Sequence, residues 1–236
     1  MLCRLPTLAA LCLIAHAGTA RAQDGAFSIT VSGVKAGTFS IAANSNASSY
    51  AVTSRAASAG LAGLFRSFTI TSKVSGRLSG GTFRPERYVS QSDGARAGRG
   101  AELTFAGGTP TVISAATEPD PDAPKVNPAS LSNVVDPLTG LYAILRDTTA
   151  EAACDVDLTM FDGHRVSRVT LSGARAVEGG VMCDGVYRRV AGYPPKVLAE
   201  RQTFAFTAFY AAEGDVLRAQ ELTMDSLFGP ARMTRE

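Results

Sequence analysis

Hydrophobic alternation with a period of two dominates this chain and constrains it more than any other feature. Phe27, Ile29 and Val31 alternate with Ser28, Thr30 and Ser32, and Phe39, Ile41 and Ala43 with Ser40 and Ala42. Val156, Leu158 and Met160 alternate with Asp155, Asp157 and Thr159. Successive side chains of a strand point to opposite faces, so such runs describe a sheet with one face buried and one in water. Similar runs begin at Tyr50, Phe68 and Leu103, and Phe204, Phe206 and Tyr210 share a face that Phe209 opposes. Gly80-Gly81, Gly107-Gly108, Asp162-Gly163 and Gly179-Gly180 punctuate them. The count is about a dozen short strands, which predicts a mainly β fold: an antiparallel curved sheet forming a barrel or half-barrel. A barrel of that size is too wide for its inward side chains to fill, so a helix or a ligand is expected inside it.

Two stretches break the alternation. Residues 116–130 carry Pro119, Pro121, Pro124 and Pro128 among polar residues, a composition that reads as a long surface crossing. A single convincing helix follows, over about 136–147. Asp136 is a favourable N-cap, Pro137 suits the first helical position, and Leu138, Leu141, Tyr142 and Leu145 lie at i, i+3, i+4 and i+7. That stripe is expected to pack on or into the concave face of the sheet. A shorter apolar segment, Leu61 to Phe65, reads as a packed corner between strands. No strong linker divides the chain, so residues 23–236 are expected to form one β-rich domain.

Residues 1–22 read as a cleaved export signal: Arg4 is the positive start, Leu8 to Ala17 the apolar run, and Ala20-Arg21-Ala22 the small-x-small site. The cut is expected between Ala22 and Gln23. The apolar run is about half the ~20 residues a spanning helix needs. The full chain has 23 Lys plus Arg against 21 Asp plus Glu, and losing Arg4 and Arg21 makes the mature form neutral. Neutrality disfavours nucleic acid as a partner, and no transmembrane segment is expected after signal removal. The expected location is the periplasm, soluble or peripherally held. Cys3 and Cys12 leave with the signal, so Cys154 and Cys183 are expected to form a disulfide. Closing a loop of about 30 residues stabilises a fold by roughly 3.6 kcal/mol in the chain-entropy treatment.

The remaining chemistry is sparse. His164 is the sole mature histidine, beside the Asp162-Gly163 turn, and reads as a surface residue at a strand start. A lone histidine without metal-spaced partners predicts no conventional zinc site, and no Gly-x-Ser-x-Gly elbow accompanies it. The glycine-rich Gly94–Gly100 stretch leads into a strand and reads as a hairpin tip. Arg165, Arg168, Arg188 and Arg189 read as a solvated strand face near the disulfide. No catalytic, metal or cofactor-binding residue is assigned.

The order of several motifs resembles a known family. Val135-Asp136-Pro137-Leu138-Thr139-Gly140-Leu141-Tyr142 starts the helix, Phe161-Asp162-Gly163 makes a turn, and Cys183 is followed by Ala191-Gly192-Tyr193. Upstream, Phe83-Arg84-Pro85-Glu86-Arg87-Tyr88 opens a strand. This pattern is similar to the bacterial envelope family catalogued as domain of unknown function 3108. Thr139-Gly140 departs from the Ser-Ala expected there, and a glycine inside a helix costs about 1 kcal/mol relative to alanine. The resemblance implies an exported β-rich fold like the lipoprotein-carrier half-barrels, and no established activity.

The expected function is therefore non-enzymatic: binding of a lipid, another apolar ligand or an envelope component in the cavity of the curved sheet. The alternatives are a scaffolding protein for the cell envelope, acting on protein partners through exposed strand edges, and an enzyme built on His164 with Asp162.

Overall fold

The computed structural model describes residues 21–59, 67–95, 97–115 and 121–236. The expected export signal up to residue 20, the expected Leu61–Phe65 corner and the first part of the Pro-rich crossing lie outside the described residues. Thirteen strands run in chain order: β1 (Arg21–Val31), β2 (Val34–Ser45), β3 (Ser49–Ser58), β4 (Phe68–Ser79), β5 (Thr82–Gly94), β6 (Ala101–Ala106), β7 (Thr109–Ala115), β8 (Val156–Phe161), β9 (Val166–Val177), β10 (Gly180–Ala191), β11 (Thr203–Glu213), β12 (Val216–Ser226) and β13 (Gly229–Arg235). They form one antiparallel sheet in which β1 pairs with β13, leaving β7 and β8 as its edges. Helix α1 (Pro137–Leu145) lies on the crossing from β7 to β8, and α2 (Pro195–Glu200) joins β10 to β11. The sheet is curled into a nearly closed barrel. At its seam the β8–β9 turn meets the other edge: a Cβ on Gly163 would lie 3.5 Å from that of Ala101 and 3.7 Å from that of Ala115.

The strands are longer than expected. Nine of the thirteen run 10 residues or more, because pairing continues through stretches such as Ser75-Gly76-Arg77, where the apolar rhythm fades but the backbone ladder does not. Strand length therefore does not argue against an outer-membrane barrel. The outer surface does: Arg55, Lys73, Arg84, Glu86 and Arg168 are exposed on it, where a lipid-facing barrel needs an apolar band. No helix among the described residues is long and apolar enough to cross a membrane.

The inward face is the core. Phe27, Phe39, Ile41, Tyr50, Val52, Val74, Phe83, Tyr88, Leu103, Phe206 and Tyr210 are buried, and α1 packs among them against β3, β4, β8 and β12. Leu138, Tyr142 and Leu145 are buried as the periodicity predicts, and Leu141 is half-buried. Ala143 and Ile144 are buried as well, so α1 is enclosed on nearly every side. Burying each of the large apolar side chains contributes roughly 1.5–3 kcal/mol.

An enclosed helix must satisfy the polar groups at its ends. The Asp136 carboxylate is fully buried; it accepts from Thr139 N at 2.9 Å and from Thr139 Oγ1 at 2.6 Å. With the threonine hydroxyl donating to Asp136, the bond of 2.9 Å between Tyr50 OH and Thr139 Oγ1 runs from the tyrosine. At the other end, Tyr210 OH donates to Ile144 O at 2.7 Å and Gln23 Nε2 to Leu145 O at 2.9 Å. Tyr142 OH donates to Ser45 Oγ at 3.0 Å. Strands β1, β2, β3 and β11 thus hold the helix by side-chain bonds.

Gly140 reads differently in this setting. A Cβ there would overlap Met160 Sδ of β8, so its propensity penalty accompanies a close helix–strand approach. Gly140→Ala gains about 1 kcal/mol of propensity but overpacks the core at about 1–3 kcal/mol; a lowered melting temperature is expected, and a raised one contradicts this packing.

Burial is the main cause that pushes the Asp136 carboxyl up from 3.8 to about 6, against the lowering effect of its bonds to Thr139. A carboxyl raised on folding contributes stability that is full below about pH 4 and is lost as pH rises through about 6. Asp136→Asn preserves a good N-cap and should flatten the stability profile in that window; chemical denaturation across pH 4–7 measures it, and an unchanged slope overturns the assignment.

Candidate functional site

The candidate site is the mouth of the barrel at the end where α1 terminates. Three elements build it. The β4–β5 hairpin turns at Gly80-Gly81, both with positive φ (53° and 82°), and sets Phe83 at the rim of the core. Helix α1 contributes Ala143 and, just past its last turn, Arg146. The segment from 147 to 155 then closes the mouth, with Val156 and Leu158 of β8 behind it. Together with Tyr210 these side chains bound a cavity of about 440 Å³, within the range of small-molecule sites.

The closing segment is held at several points. Asp147 N donates to Gln23 Oε1 at 3.0 Å, and Asp147 Oδ1 lies 3.3 Å from Arg218 Nε. Thr148 exchanges backbone bonds with Leu217 at 2.9 and 2.8 Å. Cys154 is joined to Cys183 of β10 by a disulfide, with Cα atoms 5.3 Å apart. Cys154 has a left-handed backbone, φ 62°, which costs roughly 1–3 kcal/mol for a residue other than glycine; the cross-link holds it there.

Arg146 is the charged group inside the mouth. Its guanidinium lies 5.1 Å from the centroid of the Phe83 ring, a cation–π contact, and no carboxylate among the described residues pairs with it. Burial pushes the Tyr210 phenol well above its usual range, and the Arg146 charge opposes that rise. Of the acids nearby, Asp155 is exposed at the rim. Arg168 takes the Asp157 carboxylate by two bonds and lowers its pKa.

The other residues singled out by the sequence lie elsewhere. His164 is inside the β8–β9 turn, not at a strand start, and it is half-buried, not a surface residue. Its Nε2 is buried without a partner in the structure. Asp162 Oδ1 accepts from His164 N at 2.9 Å and from Arg165 N at 2.7 Å, so this carboxylate shapes the turn. The four arginines do not form one solvated face. Arg165 and Arg189 flank the Tyr193 ring at 5.3 and 5.7 Å, and Arg189 Nη1 donates to Val197 O and Arg201 O at the end of α2. Arg188 lies opposite Arg168 in the β9–β10 ladder. Ala22 lies opposite Asn44 in β2, and Gln23 binds the end of α1 as described. Among the described residues no cluster of three or more His, Cys, Asp or Glu is placed to hold a metal ion.

Sequence reasoning passed over Arg146, Tyr210 and Phe83 as a group. The only available signal was an arginine directly after an apolar helix, which reads equally as a helix C-terminus favouring a cation.

Cys183→Ser is expected to lower the melting temperature under oxidising conditions and to make it insensitive to reductant, with hydrogen exchange rising first over residues 147–156. An unchanged melting temperature contradicts a structural bridge.

A search of solved structures finds a "Beta-barrel-like Protein of Domain of Unknown Function DUF1849 from Brucella abortus", with 14% sequence identity, a TM-score of 0.47, and coverage of 90% of this chain and 94% of that one. No curated protein matches the chain. The family described as "Protein of unknown function (DUF3108)" matches residues 26–182, a span from β1 into β10 that includes the helix, the turn and Cys154, and ends one residue before Cys183. The chain belongs to this family of proteins of unknown function.

Proposed function

We propose that this protein is an exported, non-enzymatic binder of the periplasm that holds an apolar ligand or envelope component at the mouth of its barrel. The observation that carries this reading is the cavity of about 440 Å³ between Phe83, Ala143, Val156, Leu158 and Tyr210. It relocates the binding space expected from the sequence. The concave centre of the sheet is occupied by α1, and this cavity lies where that helix ends, bounded by side chains of the helix and of the barrel wall. The export signal and the disulfide support a periplasmic location. The non-enzymatic reading is supported by the engagement of Asp162, the proposed partner of His164, with backbone donors of its own turn.

A scaffolding role is the second reading, and one observation favours it. At the opposite end of the barrel the adjoining β1–β2 and β12–β13 turns expose Val34, Leu227 and Phe228, the last at 82%. The strand edges offer less: Val135 bonds to Thr159 and Phe161 along the edge of β8, and residues 128–130 pack on β7.

The test is to purify the exported protein from its host without detergent, extract it, and identify bound molecules by mass spectrometry. Near-stoichiometric recovery of one amphiphile is expected, and Val156→Trp, which fills the mouth, should abolish it while the barrel still folds. Empty wild-type protein, or equal recovery from Val156→Trp, overturns mouth binding and leaves the scaffolding reading.

A further inference from the structure

Arg146 combines a fixed position, an aromatic contact and unspent donors with a place in the lining of the mouth cavity. Its position is set by the helix it follows, because Arg146 N bonds to Tyr142 O and its neighbour Asp147 is tied to Gln23 and Arg218. Its guanidinium carbon lies 5.1 Å from the centroid of the Phe83 ring, within cation–π reach. The guanidinium donors make no hydrogen bond to a described residue. Those of Arg165 over Tyr193 make none either, whereas Arg189, Arg201 and Arg235 lie over aromatic rings and also donate to backbone carbonyls. Of the two with unspent donors, Arg146 is the one that lines the mouth cavity. A guanidinium is planar and presents forked donors, the geometry that grips a carboxylate or phosphate by two parallel bonds. The cavity it lines also contains the apolar side chains of Ala143, Val156, Leu158 and Phe83 alongside Thr82, Thr148 and Asp155.

On the reading that the mouth binds a ligand, we infer that Arg146 is the anionic-headgroup anchor of that site and that its ligands are single-chain amphiphiles ending in a carboxylate or phosphate. The head pairs with Arg146 beside Tyr210 and the chain lies along Val156 and Leu158. Asp155, exposed at the rim of the same cavity, is the nearby opposing charge. It weakens the attraction without occupying the donors.

Laurate and dodecanol share a chain length and differ in charge, so titration calorimetry with both separates the anchor from the cavity. Wild-type protein should bind laurate at least about tenfold more tightly than dodecanol, the equivalent of ~1.4 kcal/mol. Arg146→Gln should remove most of that preference and leave dodecanol affinity within about twofold. Asp155→Asn should tighten laurate alone, a test that holds even if Arg146→Gln folds poorly. Equal affinity of wild-type protein for the two probes, or a parallel loss of both in Arg146→Gln, overturns the anchor while the mouth site stands. Failure of both probes to bind wild-type protein removes the mouth site itself. Dodecyl phosphate in place of laurate distinguishes the two headgroups: a tighter phosphate names the phosphate class, and a weaker one the carboxylate class.

Discussion

A thirteen-stranded antiparallel sheet curls to a width that its own inward side chains do not span, and the rest of this structure depends on how that space is filled. The chain fills it with its own helix. Because α1 is enclosed on nearly every side, the polar groups at its ends need partners from its own cap or from the barrel wall. Asp136 and Thr139 close one end, Gln23 and Tyr210 the other. The helix is short and carries a glycine, so its stability in isolation is poor; packing and these bonds hold it. In return it joins strands that are distant in the sheet, β3 and β4 on one side and β8 and β12 on the other.

Filling the centre with α1 leaves a cavity at the mouth where that helix ends. A carrier in which the whole concavity holds lipid is not the arrangement seen. The mouth cavity lies where the helix ends and the chain leaves the barrel to reach β8. That exit is fastened by Asp147, Thr148 and the Cys154–Cys183 bridge, so the disulfide has a local consequence beyond general stabilisation: it fixes the wall of the mouth. Arg146 stands in that wall as the only residue of the helix exit that combines a fixed position with free donors.

Much of this was legible in residues close together in sequence. The alternation of Phe204 and Phe206 with Thr203 and Ala205 gave the buried face of β11, and Asp136-Pro137 marked the helix start to the residue. Cys154 and Cys183, the two cysteines outside the expected signal, pointed to their own bridge. Strand length was misjudged because apolar rhythm ends before backbone pairing does, as through Ala174 and Ala176 of β9. Gly140 looked like a weakness because propensity counts only the helix, and Met160, which needs the space, comes 20 residues later. His164 looked superficial because nothing local reveals that its turn closes against β6 and β7.

Local physics thus determined the secondary structure: side-chain period, capping and turn preference act over a few residues and survive in the sequence as pattern. The tertiary structure alone decided which faces meet. Phe83, Arg146, Val156 and Tyr210 come from four separate elements, and their convergence on one cavity follows from the curl of the sheet and the entry of the helix into it. No spacing in the sequence encodes that meeting, because the distances between these residues are set by barrel closure and not by the chain that links them.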